Sequence, residues 1–174
     1  MNERLPYPIN YASHLPILTG IGKSFPIYRV LEYGSGIYST PLFLNREVFP
    51  DLRELVSIEE DACWRDMVQQ KIGEDSRLTL SSVDIPHPLS PDFDLVFIDS
   101  ATYEGKIEII RRVAQSFTGI VVIHDSDVEA YMREIESFPW KQNFTKYVPE
   151  TCVANSSPLD LTKIEKELEE WQWN

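Results

Sequence analysis

Basic residues are scarce in this chain. Sixteen Lys and Arg stand against 28 Asp and Glu, giving a formal net charge of −12 over 174 residues. A surface of that sign repels phosphate backbones and anionic membranes. The longest basic run is the pair Arg111-Arg112, so nucleic acid is not an expected partner. Cysteine is equally sparse. Cys63 and Cys152 are too few for a disulfide framework and lack metal-site spacing, so both read as core or incidental residues. No stretch reaches the roughly 18 uninterrupted apolar residues of a membrane span. The opening MNERLPYPIN lacks the basic start and apolar centre of a signal peptide, and the expected location is cytoplasmic. There is no Ser-His-Asp elbow, Walker loop or zinc cluster. Repeats and obvious linkers are missing too. The expectation is a single domain over 1–174, with an N-terminal helical segment in 1–26 and a C-terminal helix in 158–174.

What is present is an alternation of two patterns. Short apolar runs predict strands at 28–33, 54–59, 78–83, 94–99 and 119–124. DLVFID and GIVVIHD are almost continuously apolar, as parallel strands covered on both faces are. Amphipathic segments lie between them. Thr40 followed by Pro41 predicts a helix start running to Val48. Asp61 predicts a cap for the next helix, and EGKIEIIRRVAQSF predicts a helix over 104–117. Ser126 and Glu129 form a capping-box pattern. YASHLPILTGIG predicts a helix ahead of the first strand. Phe144–Val148 and Thr151–Asn155 predict a hairpin, and a last helix follows over 161–171. Strand and helix in alternation give a doubly wound α/β sheet. One crossover, IPHPLSPDF, is too short and proline-rich for a helix and reads as a loop over one face.

Two glycines stand one residue apart after the first strand, in VLEYGSGIYSTP. Such a turn lets a nucleotide-bearing ligand approach the backbone closely. The dinucleotide fingerprint has a third glycine where this chain has Ser39. Glu59 ends the second strand, 23 residues after Gly36, where an acidic side chain can accept hydrogen bonds from both hydroxyls of a ribose. Glu60 and Asp61 read instead as a solvated, capping pair.

Taken together, VLEYGSG (30–36), VSIEED (56–61), SSVD (81–84), DLVFIDS (94–100) and VVIHDSD (121–127) resemble the class I S-adenosylmethionine-dependent methyltransferases. The likeness covers residues 28–157. SHLP, GIYSTP and PETCVANSS narrow it to a small bacterial and phage-type branch. The resemblance implies a Rossmann-like sheet of seven strands in the order 3-2-1-4-5-7-6, with the seventh antiparallel. It also implies the cofactor S-adenosylmethionine. Glu32 would hold the loop or reach the methionine amino group through water. Gly34, Ser35 and Gly36 would pass beneath the cofactor, and Glu59 would take the ribose. Val83 and Asp84 would meet the adenine, and Asp99 would sit at the methionine end. The acceptor would be a small molecule or a polar group of a larger one. A non-catalytic nucleotide-binding or interaction protein that keeps this fold is the alternative. An NAD-dependent oxidoreductase is disfavoured by the missing third glycine and the lack of a Tyr-x-x-x-Lys pair.

Asp99, His124 and Asp125 fall at the ends of adjacent central strands and are the candidate catalytic residues. His124 reads either as a general base or as a strand-end histidine bonded to a loop. Asp99 and Asp125 raise a divalent metal as a second reading. Ser126 and Glu129, read as a helix start, weigh against it, so no metal is expected. His14 reads as a cap, a surface residue or a closure of the pocket. His87 reads as exposed or facing substrate. Trp64 and Tyr131 read as helix-face packing, while Tyr38, Tyr103 and Tyr147 are candidate pocket residues. Trp140, Trp171 and Trp173 read as a C-terminal clasp or a dimer contact.

Overall fold

The computed structural model describes residues 9–84, 92–100 and 102–173. Residues 85–91 of the proline-rich crossover, His87 among them, lie outside the described residues. A seven-stranded sheet runs in the order β3-β2-β1-β4-β5-β7-β6. Its strands are β1 (Arg29–Tyr33), β2 (Glu54–Ile58), β3 (Leu78–Ser81), β4 (Leu95–Ile98), β5 (Ile120–His124), β6 (Trp140–Phe144) and β7 (Thr151–Asn155). The first five pair in parallel, and β7 lies antiparallel to both β5 and β6. Order and direction are those the resemblance implied.

The central strands are apolar on both faces because both faces are covered. All residues of β4 and β5 are buried. On one side pack α1 (Leu15–Ser24), α2 (Ser39–Leu44) and α6 (Thr162–Glu170). Ile17, Leu18, Ile21, Phe43, Ile164 and Leu168 meet Val30, Leu55, Phe97 and Val122 there. On the other side α4 (Tyr103–Ser116) and α5 (Glu129–Ile135) set Ile109, Ile110, Val113 and Ile135 against Leu31, Val96, Ile98 and Val121. The remaining helix, α3 (Ala62–Ile72), follows β2.

Asp61 caps α3 as expected, accepting from the Trp64 amide at 2.9 Å. Three local expectations are corrected. Thr40 is not a cap: α2 begins at Ser39 and ends at Leu44, and the Thr40 hydroxyl turns inward to Glu32. Ser126 does not form a capping box. Val128 precedes α5 without a side-chain cap, and the Ser126 hydroxyl donates to Asn143 Oδ1. Finally, β6 is Trp140–Phe144 rather than 144–148. Its polar centre, Lys141-Gln142-Asn143, hides the strand, but Trp140 pairs with Asn155 and Phe144 with Thr151.

Helices α1 and α6 touch at Gly20. A Cβ on Gly20 would lie 2.7 Å from Ile164 Cα, a backbone atom that cannot step aside. Gly20→Ala is therefore expected to destabilise the protein by about 1–3 kcal/mol through overpacking. A chemical denaturation midpoint unchanged from wild type would show that these helices slide freely.

Candidate functional site

The carboxyl ends of β1, β2, β4 and β5 open onto a cavity of about 660 Å³. The turn after β1 forms its floor. Gly34 sits at φ 88, and its amide donates to Ile58 O at 2.8 Å. A Cβ there would stand 2.3 Å from Asp99 O, so the conformation and the neighbour both demand glycine. Gly36 lacks positive φ; its amide donates to Thr40 Oγ1 at 2.9 Å.

Beneath this turn lies Glu32, which is fully buried. It accepts hydroxyl bonds from Ser39 at 2.6 Å, Thr40 at 2.7 Å and Ser57 at 2.5 Å. Glu32 thus holds the loop and does not itself line the cavity. Burial raises its pKa to about 7, although the three hydroxyls pull the other way. Trp64 fastens the loop from above. Its indole N–H donates to Ser35 O at 2.6 Å and its ring lines the cavity, a role beyond helix packing.

Glu59 lines the cavity and is 7% exposed. Its Oε1 accepts from the Asp61 amide at 2.9 Å, and burial raises its pKa. Val83 and Asp84 are not among the lining residues. Val83 is exposed, and Asp84 accepts from Arg112 Nη2 at 2.6 Å.

The opposite end is charged. Asp99 follows β4, and Asp125 follows β5 in a left-handed conformation, φ 55, which aspartate tolerates better than most residues. His124 Nδ1 lies 3.1 Å from Asp99 Oδ1, and His124 Nε2 lies 2.8 Å from Ser13 Oγ. Burial opposes ionisation of Asp99, but His124 and Lys106 outweigh it and hold the carboxyl well below the usual range. Lys106 was not singled out from the sequence. It is fully buried, with its ammonium 2.7 Å from Asp125 Oδ2 and 3.3 Å from Asp99 Oδ1. It also lies 5.0 Å from the centre of the Tyr131 ring. The available signal was helical spacing, because Lys106 shares its face of α4 with the buried Ile109, Ile110 and Val113.

His14 is neither a surface residue nor a side-chain cap. It is 2% exposed, lines the cavity and bonds through neither ring nitrogen. Its ring lies 4.9 Å from Phe97 and 4.8 Å from His124. Burial, then the charge of His124, pulls its pKa down to about 3. Tyr38 and Tyr131 line the cavity, whereas Tyr103 and Tyr147 do not. Tyr147 instead meets Trp173, which in turn meets Trp171.

The Glu32 displacement carries a pH signature. A carboxyl whose pKa rises from 4.5 unfolded to about 7 folded binds more protons in the native state between those values. Its contribution to stability therefore falls as pH rises through that window, by on the order of 3 kcal/mol. Glu32→Gln should flatten the wild-type decline in unfolding free energy between about pH 4.5 and 7. Parallel curves for the two proteins would remove Glu32 as the cause.

No protein-family model matches the chain, and no curated protein matches it in sequence. Solved structures do match in fold. Human methyltransferase-like protein 13, in complex with S-adenosylhomocysteine, superposes with a TM-score of 0.64 at 15% identity, covering 97% of this chain and 96% of that one. The N-methyltransferase NodS from Bradyrhizobium japonicum, with the same ligand, gives 0.58 at 13% identity, covering 86% and 87%. Precorrin-6y C5,15-methyltransferase from Geobacter metallireducens gives 0.58 at 16% identity, covering 90% and 93%. With its strand order and reversed seventh strand, this chain has the fold of the class I S-adenosylmethionine-dependent methyltransferases.

Proposed function

We propose that this protein is an S-adenosylmethionine-dependent methyltransferase acting on a small molecule or on a polar group of a larger acceptor. The observation that carries this reading is the charge of the cavity. Among the described residues its lining holds four carboxyl groups, Glu59, Asp61, Asp99 and Asp125, and no Lys or Arg, with the single ammonium of Lys106 behind Asp99 and Asp125. A sulfonium cofactor is drawn to such a site, whereas the pyrophosphate of a dinucleotide is repelled. The fold shared with proteins crystallised with S-adenosylhomocysteine supports the same choice.

In this reading Gly34, Ser35 and Gly36 pass beneath the cofactor, with Glu32 as the brace of their loop. Glu59 takes the ribose hydroxyls, and Asp99 lies at the methionine end. The adenine extends past β3 toward Val83 and Asp84, and Arg112 holds the Asp84 side chain in place. Methyl transfer is a displacement at carbon that needs nucleophile, methyl and sulfur in line, with water kept out. Asp99, His124 and Asp125 hold the acceptor at the far end. Both His124 nitrogens are already engaged, so His124 orients its neighbours rather than standing free as a base.

S-adenosylhomocysteine is expected to bind and to raise the melting temperature, since a ligand selective for the native state stabilises it by mass action. Glu59→Ala should weaken that binding by about 10-fold or more, as loss of a charge-assisted hydrogen bond does. Calorimetry that shows no heat with either adenosyl ligand would sink the methyltransferase reading. It would leave a non-catalytic protein on the same fold.

A further inference from the structure

We propose that His14, Asp99 and His124 form a binding site for a divalent transition-metal ion at the acceptor end of the cavity. One ligand atom from each residue lies within 4.8 Å of the others, and all three residues line the cavity.

The observation that points to a missing ligand is His14, which is buried and lines the cavity. A buried imidazole with neither nitrogen bonded is costly unless a ligand completes it. His124 stands beside it, with Nε2 2.8 Å from Ser13 Oγ and Nδ1 3.1 Å from Asp99 Oδ1. Ser13 Oγ in turn lies 2.8 Å from Pro149 O. An ion would take the place of the contact between His124 Nδ1 and Asp99.

The spacing suits a metal. With metal–ligand bonds of about 2.0–2.2 Å, neighbouring ligand atoms stand about 3–3.5 Å apart. His14 has no hydrogen bond to break in closing the remaining gap. The chain from His124 through Ser13 to Pro149 fixes the ring as an outer-shell partner does. Two imidazoles and one carboxylate select zinc, iron, cobalt, nickel or manganese over magnesium or calcium. This set differs from the Asp99–Asp125 pair first considered. Lys106 makes its shorter contact with Asp125, 2.7 Å against 3.3 Å to Asp99, so Asp99 is the less firmly held of the two carboxylates. The helix-start reading of Ser126, which weighed against a metal, is also gone.

A divalent ion there would lower the pKa of a hydroxyl that it holds, as it does for bound water. That hydroxyl would lose its proton to solvent, and its oxygen would form the new C–O bond as the sulfur–methyl bond of the sulfonium breaks, leaving a neutral thioether. This makes a hydroxyl the acceptor class. This last step rests on the methyltransferase reading; the metal site does not.

The test is titration of chelator-stripped protein with Co²⁺, followed by calorimetry and visible ligand-field absorption. One equivalent should bind. His14→Gln should weaken binding at least about 10-fold, and Ser13→Ala by about 10- to 100-fold. Circular dichroism checks each fold. Should His14→Gln fail to fold, Asp99→Asn reads the same loss. Absence of Co²⁺ binding overturns the site, as does binding that these variants leave unchanged. So does a nitrogen-15 spectrum showing His124 doubly protonated in Co²⁺-saturated protein, since a proton would then be the cation. S-adenosylhomocysteine titrated into the same samples separates the two ideas. Its failure beside intact Co²⁺ binding sinks only the methyltransferase reading, and the reverse sinks only the metal.

Discussion

A single buried ammonium ties the two halves of the working end together. Asp99 and Asp125 close adjacent strands, β4 and β5, and their carboxylates face the same cavity. Lys106 reaches both carboxylates from α4 and is itself fully buried. A buried ammonium is tolerable only when paired and bonded, and two close carboxylates only when a cation intervenes. Each group therefore requires the others. The consequence is geometric: α4 must dock at one register on the sheet, and that register also sets the Tyr131 ring of α5 beneath the ammonium. The apolar contacts of Ile109, Ile110 and Val113 make the docking favourable, and the charges make it specific.

The other end of the cavity is held differently. There the protein uses backbone and hydroxyl groups. Glu32 gathers Ser39, Thr40 and Ser57, which come from α2 and β2, around one carboxylate on β1. The glycine turn is stretched over this knot, and Trp64 clamps it from the cavity side. One end thus offers a contoured backbone surface, and the other two carboxylates, one ammonium and two imidazoles.

Much of the architecture was legible in the sequence. DLVFID and GIVVIHD could only be strands covered on both faces, and VLEYGSG marked where the first of them turned. The errors share a cause. Thr40, Ser126 and the 144–148 strand were read from local chemistry, and each was overruled by a distant partner: Glu32 for Thr40, Asn143 for Ser126, β7 for β6. Pairing across 17 residues or bonding to a neighbouring strand leaves no mark in a short window. His14 stayed open between cap, surface residue and pocket closure for the same reason, since nothing near it in sequence announces Phe97 and His124 as its neighbours. Lys106 was legible and overlooked: a lone lysine on the apolar stripe of a helix is a buried charge awaiting its counter-ion.

Trp64 has an optical consequence. Of the chain's four tryptophans, it is the one among the cavity-lining residues. Trp140 packs against the core, and Trp171 and Trp173 meet edge to face near the C-terminus. The indole that clamps the glycine turn therefore emits from the site itself, bonded to the Ser35 carbonyl beneath it. Its fluorescence reports the state of that turn with no label attached, against a background from three indoles that the cavity does not touch.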